Sequence, residues 1–242
     1  MRNIIIIIAA TLSFIACNKE NDHGDANLHI TGNIKGLGKG KLYIQRAADT
    51  SLVAIDTIVL NGSSEFESHL KIDGPEMLYL FLDRGQTNSI DNNLPFFAEP
   101  GNMTINTRND EFFSAAKITG SENQKIYEDF LKIKSRFTAQ NLDLVKKNLE
   151  ATKAGDVARL DSVAKASETL LKRRYLYTVN FAHNNAKHEV GPYLALSEIA
   201  DANVIYLDTI AKSMSPAVAK SKYGKMLTEV IKERKKCKAS KC

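Results

Sequence analysis

Three cysteines, five histidines and a scatter of carboxylates are the residues of this 242-residue chain that could carry covalent, metal or acid–base chemistry. Cys237 and Cys242 have four residues between them, where thioredoxin-type redox sites have two. On a helix their sulfurs would point to different sides, so a Cys237–Cys242 disulfide requires the end of the chain to unwind. In an oxidising compartment that closed loop is one reading and a cycling dithiol is the other. His183 and His188 are five apart, not the four that align two ligands on one helical face, so no metal site is expected. Glu65 and Glu67 share a strand face, as carboxylates do in any β protein, and general acid–base chemistry is not assigned to them. Gly36-Leu37-Gly38-Lys39-Gly40-Lys41 lacks the Walker spacing and joins two strands instead of opening a helix, so it reads as a hairpin loop. With no Gly-x-Ser-x-Gly elbow either, no catalytic residue or cofactor is assigned and the chain is expected not to be an enzyme.

Cys17 has a different setting. A short basic start, Met1-Arg2-Asn3, precedes an apolar run from Ile4 to Ala16, whose thirteen residues are too few to span a bilayer as a helix. The run reads as a signal peptide, residues 1–16. Phe14-Ile15-Ala16-Cys17 resembles the bacterial lipoprotein box. The resemblance implies a diacylglyceryl group on the Cys17 sulfur, cleavage before it and acylation of the new amine, which together hold a protein at a membrane essentially permanently. Removing sixteen of the 242 residues leaves 226. Asn18, in place of an inner-membrane-retaining Asp, points to the outer membrane. Lys19-Glu20-Asn21-Asp22 is similar to the Lys-plus-acidic signal that sends some such lipoproteins to the cell surface, so either its periplasmic side or the surface is expected. Residues 17–27 read as a lipidated polar tether.

The elements that follow change character once. From Leu28 to Gly120 apolar residues alternate in short runs punctuated by Gly, Asn, Asp and Pro, which predicts about eight strands and an antiparallel β-sandwich or barrel over residues 28–120. Asn61-Gly62-Ser63-Ser64 is expected to close a tight hairpin. Beyond Gly120 the period becomes three and four, through Ile126, Phe130, Ile133 and Phe137, and predicts a helical domain over residues 121–236. Ser121 and Gln124 form a candidate capping box, and Gly155-Asp156 ends one long helix and starts another, predicting an antiparallel pair. The fold class expected is thus α+β in two parts, followed by a basic, Cys-containing tail over residues 237–242.

Charge divides along the same seam. Residues 18–120 hold nine Lys or Arg against fourteen Asp or Glu, and residues 121–242 hold twenty-three against fourteen. An acidic β half without Trp lacks the basic–aromatic interleaving of nucleic-acid platforms, so no nucleic acid is expected. Tyr79 and Phe81 share a strand face, and Phe96-Phe97 follow a turn. Most of these rings are expected in the core, with any exposed subset forming a binding face.

Leu28-His29-Ile30-Thr31-Gly32-Asn33-Ile34-Lys35-Gly36-Leu37, Pro100-Gly101 and Ile118-Thr119-Gly120-Ser121-Glu122-Asn123 together resemble the domain of unknown function that precedes thioredoxin-like domains in Gram-negative envelope lipoproteins. Gly191-Pro192-Tyr193-Leu194 and Ser221-Lys222-Tyr223-Gly224-Lys225 resemble the helical part between those two domains. In such relatives thiol–disulfide exchange or peroxidase-like chemistry belongs to the thioredoxin fold, which is not expected in these 242 residues, and no catalytic residue carries over. The expectation is a non-enzymatic, membrane-anchored binding or scaffolding lipoprotein with another envelope protein as partner. The alternatives are an accessory of thiol–disulfide exchange, through Cys237/Cys242 or a separate thioredoxin-like partner, and a β-sandwich that binds glycan or peptide.

Overall fold

The computed structural model describes residues 24–48, 51–85 and 89–239. Eight strands come first: β1 (Leu28–Lys35), β2 (Lys39–Ala48), β3 (Ser51–Asn61), β4 (Glu65–Leu70), β5 (Glu76–Asp83), β6 (Asn93–Ala98), β7 (Gly101–Arg108) and β8 (Lys117–Thr119). They build two four-stranded sheets, ordered β4-β1-β7-β8 and β3-β2-β5-β6. Alternate residues of each sheet turn inward, and Leu28, Ile30, Leu42, Ile44, Leu80 and Phe96 are fully buried between them. Each such side chain contributes about 1.5–3 kcal/mol by leaving water.

Two local expectations change in the folded chain. The loop after β1 and the turn at Asn61–Ser64 do not close hairpins: β1 and β4 lie in one sheet, β2 and β3 in the other, so both segments are corners between sheets. The sandwich is also not purely antiparallel, because β1 pairs with β7 in parallel, Leu28 opposite Gly101 through Lys35 opposite Arg108. The chain leaves the β2 sheet after β6 and crosses to the other, where the Gly101 N–H donates to the Asn27 carbonyl at 2.8 Å. A strand that arrives by changing sheets is not forced to reverse direction as a hairpin strand is.

Six α-helices follow among the described residues: α1 (Glu122–Ala154), α2 (Val157–Asn184), α3 (Val190–Glu198), α4 (Val204–Ser213), α5 (Pro216–Lys220) and α6 (Lys222–Ala239). Gly155, at φ 66°, ends α1 in the left-handed conformation that a side chain resists, and the Asp156 carboxylate accepts from the Arg159 N–H to start α2. The far half of this antiparallel pair is a two-helix arm with one thin seam, in which Ala151, Val163 and Leu170 are buried. Leu142, Val145 and Leu149, on the opposite face of α1, are each more than half exposed.

The helical half is not a separate globule hung on a sandwich. Met77 and Phe97, from the outer face of the β2 sheet, belong to the same buried cluster as Tyr127, Phe130, Leu194, Leu207, Tyr223 and Leu227. Among the described residues, no helix is long and apolar enough to cross a membrane.

Candidate functional site

The outer face of the β2 sheet is covered at one end and open at the other, and the open end forms a cleft. Along β5, Met77, Tyr79 and Phe81 point outward while Leu78, Leu80 and Leu82 fill the sandwich. Met77 lies beneath the helices, Tyr79 sits at their margin, and Phe81 lies beyond them. Strand register arranges the exposed part in two rows. Gln45, Tyr79 and Pro95 lie side by side across β2, β5 and β6, and Tyr43, Phe81 and Asn93 form the next row. The Tyr43 and Phe81 rings stand 6.3 Å apart, centroid to centroid.

Leu52, Ser89, Ile90 and Phe113 complete a cleft of about 490 Å³ over these rows. Its outer wall is held by one carboxylate. Asp91, in the short 3-10 turn Ile90–Asn92, accepts from the Phe112 and Phe113 N–H groups at 3.2 and 3.0 Å and pairs with Arg84 at 3.5 Å. Ile90 and Phe113 are thereby presented at the rim, 87% and 44% exposed. Exposed apolar side chains that converge on a concave surface mark contact with something other than water. Among the described lining residues Tyr79 is the one ionisable group, and burial raises its phenol above the usual range, so it stays neutral at ordinary pH. The cleft therefore offers rings, amides and hydroxyls: groups that stack and hydrogen-bond.

A second cleft, of about 680 Å³, lies where β2 and the Asp73-Gly74-Pro75 turn meet α5 and α6. Three of its charges pair with one another. The buried Glu76 carboxylate takes Arg46 at 2.7 Å and Lys222 at 2.8 Å, tying β2, β5 and α6 together. A third depression, about 700 Å³, runs along the α1–α2 arm over Leu144 and Leu170.

The aromatic residues singled out in the sequence sort into three environments. Phe96 fills the sandwich, Phe97 fills the helical cluster, and Tyr79 with Phe81 floors the open cleft. Gln45, Asn93 and Phe113 carry no local sequence signal and join the site only through strand register and the Asp91 clamp. His183, at the end of α2, lies 3.1 Å from the Ser213 hydroxyl. Cys237 is exposed on α6, whereas Cys17 and Cys242 lie outside the described residues. Among the described residues no group of three or more His, Cys, Asp or Glu is arranged to hold a metal ion.

Residues 28–127 match the family model described as a domain of unknown function (DUF4369). That span takes in both sheets and the first turns of α1, and it agrees with the resemblance carried by Leu28–Leu37, Pro100-Gly101 and Ile118–Asn123. No curated protein and no solved structure matches the chain.

Proposed function

We propose that the chain is a lipid-anchored lipoprotein of the outer membrane that acts by binding, that the cleft over Tyr79 and Phe81 is its ligand site, and that its ligand is an envelope glycan. The observation that carries this reading is the composition of the cleft: a floor of aromatic rings edged by the amides of Gln45 and Asn93 and the hydroxyl of Ser89. A pyranose ring has a face of C–H groups and a rim of hydroxyls. The rings suit the first, and the amides and hydroxyl, each able to donate and accept, suit the second. A volume of about 490 Å³ falls in the range of roughly 300–1,000 Å³ typical of small-ligand pockets. The anchor rests on the apolar run and Cys17, and the helical half braces the β2 sheet on which the cleft lies.

Two measurements test the reading. A Cys17→Ser variant should leave the membrane fraction, and its retention there would overturn the anchor. The same soluble variant should bind peptidoglycan or lipopolysaccharide oligosaccharides in calorimetry, with Phe81→Ala weakening binding at least tenfold while leaving the circular dichroism spectrum unchanged. Binding of short peptides and no oligosaccharide would reject the glycan, and binding unaffected by Phe81→Ala would reject the site.

A further inference from the structure

On the outer face of the other sheet, far from the aromatic cleft in topology, two histidines meet. His29 of β1 and His69 of β4 are directly opposed in the antiparallel register that runs from Leu28 opposite Leu70 to Asn33 opposite Glu65. Their Nδ1 atoms are 2.8 Å apart and their ring centroids 5.1 Å apart. Forty residues of chain separate them. Their proximity is therefore a property of the ladder.

We propose that His29 and His69 form a two-histidine chelate for a late first-row divalent cation, Cu²⁺ above Ni²⁺ and Zn²⁺. The argument is geometric. With metal–nitrogen bonds of about 2.0 Å, two nitrogens at right angles stand about 2.8 Å apart, and two at the tetrahedral angle about 3.3 Å. In the metal-free pair the ladder already holds the two nitrogens 2.8 Å apart, so a small ring rotation brings both lone pairs onto one ion at the right-angled span of a tetragonal site, the geometry preferred by Cu²⁺ and Ni²⁺. The Irving–Williams order favours Cu²⁺ independently.

The surroundings support the same nitrogens. Glu67, two residues before His69 on the same face, places a carboxylate oxygen 3.9 Å from His69 Nε2. That distance is beyond a hydrogen bond, but the negative charge still favours a proton on Nε2, which keeps the Nδ1 lone pair turned toward His29. His29 lies opposite Asn102 of β7, and Thr31 opposite Glu67, so the neighbouring positions are polar. Both rings are half-buried, with 20% of the His69 side chain exposed, which leaves solvent access for water to complete the coordination shell. In the metal-free pair one Nδ1–H donates to the other Nδ1. On binding, that proton moves through solvent to Nε2, and the ion takes its place between the rings. The χ2 rotation this requires is soft for histidine.

The test uses the full soluble Cys17→Ser chain, free of any histidine tag, titrated with Cu²⁺, Ni²⁺ and Zn²⁺ alone. One Cu²⁺ should bind per chain, more tightly than Ni²⁺ or Zn²⁺, with an electron paramagnetic resonance spectrum coupled to two imidazole nitrogens. His29→Gln and His69→Gln should each weaken Cu²⁺ at least tenfold and remove one nitrogen coupling. The double variant should be little worse than either single one, because a chelate needs both ligands. Circular dichroism confirms that each variant is folded. Cu²⁺ affinity unchanged in both single variants, or coupling to one imidazole in the wild-type chain, would overturn the proposal. Glycan binding in the aromatic cleft is a separate readout and should not change in either variant.

Discussion

The backbone N–H of Met77 donates to the Tyr223 phenol oxygen at 2.8 Å, joining β5 to α6 across 146 residues of chain. Met77 stands opposite Phe97 on β6, and the Phe97 N–H donates to Gln124 Oε1 on α1 at 2.7 Å. In an antiparallel ladder alternate pairs aim their amides away from each other. Met77 and Phe97 are such a pair, and the helices supply the acceptors that further strands would have supplied. The helical half thus finishes the hydrogen bonding of the β2 sheet as well as covering its face.

Tyr223→Phe should therefore destabilise the whole chain. The ring still fills its place in the helical cluster, but a buried amide loses its acceptor, which costs about 1–3 kcal/mol. Urea unfolding of wild type and variant measures it directly. A difference near zero would mean that water reaches Met77 and that the two halves are joined by packing alone.

Stability should also fall in alkali, for a reason confined to the same cluster. Tyr127, Tyr193 and Tyr223 are stacked edge to face, with the Tyr193 and Tyr223 centroids 5.1 Å apart. Burial, with a further push from the Glu198 carboxylate, raises the Tyr127 phenol to about 12. Burial, then neighbouring tyrosines, drives Tyr193 higher still, and burial likewise raises Tyr223. Below pH 10, the ordinary value, both folded and unfolded chains keep these protons and stability does not depend on them. Above it the unfolded chain releases them first, so stability falls as pH rises, by on the order of 1.4 kcal/mol per pH unit for each group. The loss from Tyr127 levels off as pH passes its folded value of about 12. Denaturant titrations at pH 9 and in steps above pH 10 should show this, and Tyr193→Phe should make the decline shallower. Tyrosinate absorbance from the cluster appearing before the loss of helical circular dichroism would contradict it.

Much of the architecture was legible in the residues. The switch from alternation to a period of three and four near Gly120 marks where strands end, and Gly155-Asp156 marks the hairpin of helices. Corners were not distinguishable from hairpins, because both need the same turn residues, and which sheet receives the next strand depends on contacts distant in sequence. The sequence marks Gln124 as half of a capping box. Ser121 does accept from the Gln124 N–H at 2.9 Å, but the Gln124 carbonyl oxygen reaches β6. Asn123, in the same resemblance segment, accepts from the Val190 N–H at 2.9 Å and ties α1 to the start of α3. The floor of the aromatic cleft was half visible, since Tyr79 and Phe81 are two apart on one strand. The His29–His69 pair was invisible, since no local spacing relates residues on different strands.

Two glycines of the resemblance segments should tolerate no side chain. A Cβ on Gly224 would lie 2.0 Å from the Val218 carbonyl oxygen, where α6 turns back against α5. On Gly32 it would lie 2.1 Å from the Ile105 carbonyl oxygen and 2.5 Å from the Phe66 ring, which fills the space the missing side chain leaves in the sandwich. Backbone cannot yield as a flexible side chain can. Gly224→Ala and Gly32→Ala should each cost about 1–3 kcal/mol or more. Gly38 has nothing within 4 Å of an added Cβ, and Gly38→Ala should range from neutral to about 1 kcal/mol stabilising. Melting temperatures of the three variants test the contrast, which fails if Gly38→Ala is as harmful as the others.

The arm formed by α1 and α2 should respond to substitution on one side only. Ala151 is fully buried in its seam, and α2 packs close because that side chain is small. Ala151→Leu would push the helices apart near their connection and should cost about 1–3 kcal/mol. Leu149, two residues earlier and 55% exposed, faces away from the seam. Leu149→Lys should shift stability by no more than about 0.5 kcal/mol, as surface replacements do. Hydrogen exchange offers an independent check: the Ala151→Leu variant should lose protection in the α1–α2 arm while β5 and β6 keep theirs, because nothing in the arm's far half supports the β2 sheet. Loss of protection in β5 as well would show that the arm and the sandwich unfold as one unit.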